Sequence, residues 1–237
     1  MVKFIGRWFS IVLFLMLYLL PNKLVSADVL RINGGISSDG FVDNFNVTNG
    51  EPLVFIDADW SFDNGAFLGG DCYQSSAERG RGEALERGCH AYIGYFTPIN
   101  ETQAVSFELR HNRYLVNTGS FWTDYELAGS WHINKGLTFS ATFNDNWLDS
   151  GHATFSVQGD YSRPLTDKLT SYVSVNLMQF EATAIGITEH IQFGVNYQQD
   201  RWGVDLSAIF SDAALGNALG FDVNQNQLLL TFTYQLY

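Results

Sequence analysis

The chain reaches LLLTFTYQLY at residues 228–237. Leu230, Phe232, Tyr234 and Leu236 share one parity, and Thr231, Thr233 and Gln235 share the other. Alternation of this kind, apolar against polar with period two, marks a strand with one buried face. Chain ends usually fray. A strand this regular at residue 237 is expected to be paired, and a closing strand that leaves no edge free answers that expectation.

The opposite end places the chain in a compartment. Lys3 and Arg7 precede the apolar run WFSIVLFLMLYLL (8–20), and Pro21 and Val25-Ser26-Ala27 follow it. A basic start, a short apolar core and small residues before Asp28 predict a cleaved export signal over 1–27. A permanent spanning helix would need ~18 or more apolar residues, more than this run supplies. Residues 28–237 then form one domain. With ten Lys and Arg against 25 Asp and Glu, that domain carries a net charge of −15. Nucleic acid is excluded as a partner, because its binding requires a basic face. No phosphate loop, dinucleotide fingerprint or zinc spacing occurs, so neither a cofactor nor a metal is expected.

Cys72 and Cys89, the only cysteines, bracket YQSSAERGRGEALERG. In an exported chain they are expected to form a disulfide. A zinc site from Cys72, Cys89 and His90 would lack a fourth ligand.

Between residues 30 and 236 about twelve alternating segments follow one another. They are 30–37, 53–62, 66–73, 89–97, 104–112, 123–133, 137–145, 152–161, 169–180, 190–197, 202–210 and 228–236. FDNG, TPINE, INKG, SRPLTDK and QQDR make short turns. Longer connections at 38–52, 74–88, 113–122, 146–151, 181–189 and 211–227 alternate with them. Short turns at one end and long loops at the other are the pattern of outer-membrane barrels. A soluble barrel has the same parity with its apolar face inward. Aromatic placement separates the two. Trp60, Tyr95, Trp131, Tyr161, Tyr197 and Trp202 fall on the apolar parity beside short turns, and Trp147 and Phe210 fall on it at the other end. Two belts of amphipathic rings suit the two interfaces of a bilayer. The fold expected is therefore all-β: a closed, antiparallel, up-and-down transmembrane barrel of about 12 strands.

The polar parity then faces the lumen. It holds Arg31, Asn33, Asp57, Asp59, Glu108, Arg110, Asp124, Glu126, His132, His152, Asp160, Asn176, Asn196 and Asp205. Seven acids against two arginines favour cations in a water-filled path. The same groups would also make a hydrogen-bonded plug. A barrel of about twelve strands lies between filled and open sizes, so a narrow pore and a blocked lumen both remain. Enzymatic chemistry has only His111 beside Asn112 and His152 near Ser150, neither within a nucleophile motif, and no catalysis is expected.

Several blocks also resemble a known family. SSDGFVDNF (37–45), DWSFDNGAFLGG (59–70), HAYIGYF (90–96), DYELAGSWHI (124–133) and WGVDLSAIFSD (202–212) are similar, in order, to the TorF-type porins, also catalogued as Gcw_chp proteins of unknown function. The resemblance implies a porin-like barrel of the bacterial outer membrane, without a defined substrate. The partners then expected are outer-membrane lipids and lipopolysaccharide, small solutes, and the barrel-assembly machinery acting on the C-terminal strand.

Overall fold

The computed structural model describes residues 29–42, 45–46, 48, 50–75, 85–116, 119–134, 136–181, 186–211 and 226–237. The export segment expected over 1–27 lies outside them. Among these residues fourteen strands run in chain order: β1 (Val29–Ser37), β2 (Phe41–Val42), β3 (Phe45–Asn46), β4 (Leu53–Ser61), β5 (Ala66–Ser75), β6 (Leu85–Pro98) and β7 (Gln103–Val116). They continue as β8 (Phe121–Ile133), β9 (Leu137–Asn144), β10 (Thr154–Pro164), β11 (Leu169–Phe180), β12 (Ile187–Gln199), β13 (Trp202–Ser211) and β14 (Asn226–Gln235). β2 and β3 form a two-stranded ribbon between β1 and β4. The other twelve make one closed barrel in which every neighbour in sequence is a neighbour in space.

Closure is made by the first and last strands. Asn33 stands opposite Gln235, and Ser37 stands opposite Thr231. Beyond that ladder the Ile32 N–H donates to the Tyr237 carbonyl at 3.0 Å, and the Leu236 N–H donates to the Ile32 carbonyl at 2.8 Å. The terminal alternation is therefore the closing strand that its sequence pattern predicts.

Parity also assigns the faces. Ile36, Ile56, Leu68, Ile93, Phe107, Leu127, Phe155, Leu177, Phe193 and Leu230 are all exposed on the outside. An apolar exterior of this extent around a closed barrel suits hydrocarbon, where backbone groups must bond within the barrel. Trp60, Trp131 and Tyr161 are exposed at the short-turn end of this band, as a girdle requires. Tyr197 and Trp202 lie beside them with ring centroids 5.5 Å apart, and Tyr95 occupies the same outward parity on β6. Asn134 and Asp200, both with positive φ, form two of the short turns. Asn and Asp tolerate that left-handed conformation better than other side chains.

Three expectations about connections need correction. The long loop expected at 113–122 is mostly strand: Arg113 pairs with Thr123 and Leu115 with Phe121. Polar His111-Asn112-Arg113 reads as a strand end, yet Tyr114 and Val116 beyond it are fully buried inside the barrel and extend β7. The connections expected at 74–88 and 181–189 likewise shorten, because β6 begins at Leu85 and β12 at Ile187.

Inside the barrel, large rings lie over glycines on the neighbouring strand. Phe55 faces Gly35, Phe67 faces Gly94, Tyr92 faces Gly69, Tyr73 faces Gly88 and Tyr172 faces Gly194. A Cβ at Gly94 would overlap the Phe67 ring and the Phe107 carbonyl. The glycine lets the ring lie flat against the wall, leaving less of it in the bore. Cys72 and Cys89 are bonded to each other and directly opposite on β5 and β6, with Cα atoms 4.1 Å apart on the outward parity.

Replacing Gly94 by Val should destabilise the folded barrel by about 1–3 kcal/mol, the usual range for overpacking. Urea unfolding of the refolded protein in lipid vesicles would measure this, and adding Phe67→Ala should recover part of the loss.

Candidate functional site: the lumen and its mouth

The lumen is built from the inward parity of all twelve strands, and its charge is uneven around the wall. β1 supplies Arg31 and Asn33, β4 supplies Asp57 and Asp59, and β5 supplies Asp71. β7 adds Glu108 and Arg110, and β8 adds Glu126. In register, Asp59 stands across from Arg31 and Asp57 stands across from Asp71. The Asn33 amide donates to Asp57 Oδ1 at 2.8 Å. His90 Nδ1 lies 2.8 Å from Asp71 Oδ2. Asp59 stands within electrostatic range of Asp57, Asp71 and Glu108, with Arg31 as its opposing charge.

Arg110 neutralises part of this wall. Its Nε and Nη2 reach Glu108 Oε1 at 3.0 and 2.8 Å, and its Nη1 is 4.0 Å from Glu126 Oε1. The guanidinium also lies 5.6 Å from the centre of the Tyr92 ring. Five carboxylates thus share one wall with two arginines. Asp71 was missed in the sequence because β5 reads as a glycine-rich stretch, GGDC, with weak alternation. Its parity relative to Tyr73 was the available signal.

The opposite wall is mostly neutral. Tyr172 Oη donates to Asp205 Oδ1 at 2.8 Å, and Gln192 Nε2 donates to Tyr172 Oη and Ser207 Oγ at 3.3 and 3.1 Å. Asn176 Nδ2 donates to Gln158 Oε1 at 3.1 Å, and Gln158 Nε2 donates to Asp160 Oδ1 at 2.8 Å. Asn196 faces Asp205 across β12 and β13. His132, near the short-turn end, has Ser106 Oγ 3.0 Å from Nε2 and Thr138 Oγ1 3.2 Å from Nδ1. Both its nitrogens are therefore occupied by hydroxyls.

At the long-loop mouth the bore changes character. Leu53, Tyr73, Tyr114, Val116, Met178 and Phe180 point inward and pack with Trp147 and Leu148 into one apolar cluster, flanked by Phe55 and Trp122. These side chains come from β4, β5, β7 and β11, and β11 lies across the barrel from β4 and β5. The cluster therefore bridges the mouth. Trp147 is 1% exposed and meets the Phe180 ring edge-on at 5.1 Å.

Trp147 consequently does not belong to the outer girdle in which the sequence pattern places it. β9 ends at Asn144, and the chain enters a 3-10 turn at Trp147–Asp149. The period of two stops there, so parity counted onward from β9 no longer applies. Leu148 and Asp149 both have positive φ, at 48° and 58°. This conformation costs about 1–2 kcal/mol for an L-residue and persists only when its surroundings impose it.

Asp124 imposes it. It is 2% exposed, and its Oδ2 accepts the Leu148 N–H at 3.0 Å while its Oδ1 accepts the Asn112 amide at 2.7 Å. The loop also bonds to itself: the Trp147 N–H reaches the His152 carbonyl at 3.0 Å, and the Gly151 N–H reaches Asn146 Oδ1 at 2.7 Å. Asp124 is thus an anchor for the Trp147 turn, not an open lumen carboxylate. His152 is also displaced from its expected lumen position. It is exposed in the loop ahead of β10, where strand parity has no force. His111 points outward, stacked on Tyr125 at 4.7 Å.

No protein-family model matches the sequence, and no curated protein matches it. Solved structures share its fold. The KdgM porin has a TM-score of 0.51 at 11% identity, over 88% of this chain and 100% of that one. The NanC porin has a TM-score of 0.55 at 11% identity, over 88% and 100%. The outer membrane protein Omp33 of Acinetobacter baumannii has a TM-score of 0.52 at 7% identity, over 87% and 97%. The chain therefore has the fold of bacterial outer-membrane, porin-like barrels.

Asp124→Ala should release the Leu148 N–H and the Asn112 amide together, a loss of about 1–3 kcal/mol for buried groups left unpaired. Chymotrypsin cleavage at Trp147 or Leu148 in the folded, vesicle-inserted protein should become faster. Asp124→Asn, which keeps an acceptor, should show a smaller effect.

Proposed function

We propose that the protein is a bacterial outer-membrane channel that admits small cationic or neutral solutes by passive diffusion, exported with loss of residues 1–27. The observation that carries this reading is the uneven wall: among the described residues, Asp57, Asp59, Asp71, Glu108 and Glu126 face a shared path with two arginines, Arg31 and Arg110, beside them. Fixed negative charge lining a narrow aqueous path concentrates cations and repels anions. The porin-like fold is consistent with it. TorF-type membership, delivery by the barrel-assembly machinery and a non-catalytic role belong to the same proposal. Its support against catalysis is positional: His111 faces outward and His152 stands in an exposed loop.

The apolar bridge at the mouth supports a second reading, in which the resting barrel is closed. The two are related. The acidic wall would select, and the Trp147 turn would limit entry.

Single-channel recording across a planar bilayer under a salt gradient tests both. Replacing Asp57, Asp59 and Asp71 together by Asn should move a cation-selective reversal potential most of the way to zero. An unchanged reversal potential would remove the acidic wall from the account. Trp147→Ala should raise conductance or opening frequency over wild type, whereas equal currents would show that the bridge does not limit flow.

A further inference from the structure

The exterior of the barrel carries a basic site that the lumen does not explain. Among the described residues, the outward face at the long-loop end holds two Lys or Arg side chains, Arg87 on β6 and Arg113 on β7. In a domain with 25 acids, arginines on strands would be expected to meet carboxylates. These two have neutral contacts. Arg87 Nη2 is 3.4 Å from Gln74 Oε1, and the Arg113 guanidinium lies 4.5 Å from the centre of the Phe121 ring.

Their positions match in height. Arg87 stands opposite Leu115, and Leu115 stands opposite Phe121 on β8. By reaching over Phe121, Arg113 brings its charge to the level of Arg87, with Leu115 between them. Two strand spacings separate β6 from β8, so the charges flank a gap of roughly 10 Å. From Val105, at the level of the lower girdle, to Arg113 is eight residues along β7, about 20 Å along the membrane normal for a tilted strand. That is close to the height of the apolar band. Arg87 and Arg113 therefore stand at the outer edge of the hydrocarbon, where headgroup phosphates lie.

The site is also held in shape. Cys72 and Cys89 join β5 to β6 directly below the Gln74–Arg87 pair, and Cys89 is the register partner of Arg113. Stacking on Phe121 fixes Arg113, since a guanidinium gains from an aromatic face. Exposed Phe121 and Tyr125 supply apolar surface for acyl chains beneath the charges.

We propose that Arg87 and Arg113, with Gln74 and Phe121, form a binding site for the phosphorylated headgroup of an outer-leaflet glycolipid, lipopolysaccharide. Arginine suits phosphate because it donates two parallel hydrogen bonds. The proposal rests on the outer-membrane reading under Proposed function, with the short turns set toward the periplasm and the longer loops outward, as outer-membrane barrels place them.

The test uses the mature protein purified folded in detergent and titrated with lipopolysaccharide, with insertion into phosphatidylcholine vesicles measured separately. Arg87→Gln should weaken lipopolysaccharide binding about fivefold and the Arg87→Gln/Arg113→Gln pair about thirtyfold, from the usual gain per basic residue at an anionic membrane surface. Phe121→Leu, which keeps both charges, should weaken binding by a smaller factor. Arg163→Gln, at the short-turn end, should leave it unchanged. Equal binding by wild type and the double variant, both folded, overturns the site. Equal wild-type affinity for phosphatidylglycerol and lipopolysaccharide overturns the glycolipid assignment. Failure of the wild type to insert into vesicles would instead overturn the membrane reading on which the site depends.

Discussion

Every other feature of this molecule depends on the hydrogen bonds between β1 and β14. A strand edge in hydrocarbon leaves amides and carbonyls without partners, at several kcal/mol for each group. The ladder from Asn33–Gln235 to Ser37–Thr231, prolonged by Ile32 to Leu236 and Tyr237, removes that edge. Once the ring is closed, the side-chain period of two has only one consequence. The apolar set faces outward, and the polar set is confined in a bore whose width is fixed by the strand number.

Confinement explains the chemistry of the interior. A bore of this size would be obstructed by standing aromatic side chains, and cross-strand glycines let five of them lie along the wall. The carboxylates on β4, β5, β7 and β8 are left with fewer cations than they would need for neutrality. The β10–β13 wall resolves its own polarity in amide and hydroxyl networks. One side of the lumen is therefore charged and the other nearly saturated.

At the mouth a single buried carboxylate changes its role. Asp124 holds the Trp147 turn by a backbone amide, and that turn closes an apolar contact between opposite walls. The geometry ties a loop on one strand pair to packing across the whole barrel. A strained turn held by a few local hydrogen bonds and one buried ring is a local element whose stability can differ from that of the barrel around it.

Alternation and turn chemistry were enough to determine the strand number, the antiparallel order and the apolar exterior, because the strand period is rigid. Most of the lumen set followed from the same parity. Tertiary structure alone decided what happens where the period ends. Trp147 left the girdle and His152 left the lumen because both lie in a loop, where no periodicity carries a side chain to a known face. Asp124 stayed at its expected position but acquired a different partner, since the Leu148 amide is brought to it by a turn with positive φ. Asp71 is legible by its parity with Tyr73, but its partners Asp57 and His90, like the long β7 that pairs with Thr123, are set by neighbours distant in the chain.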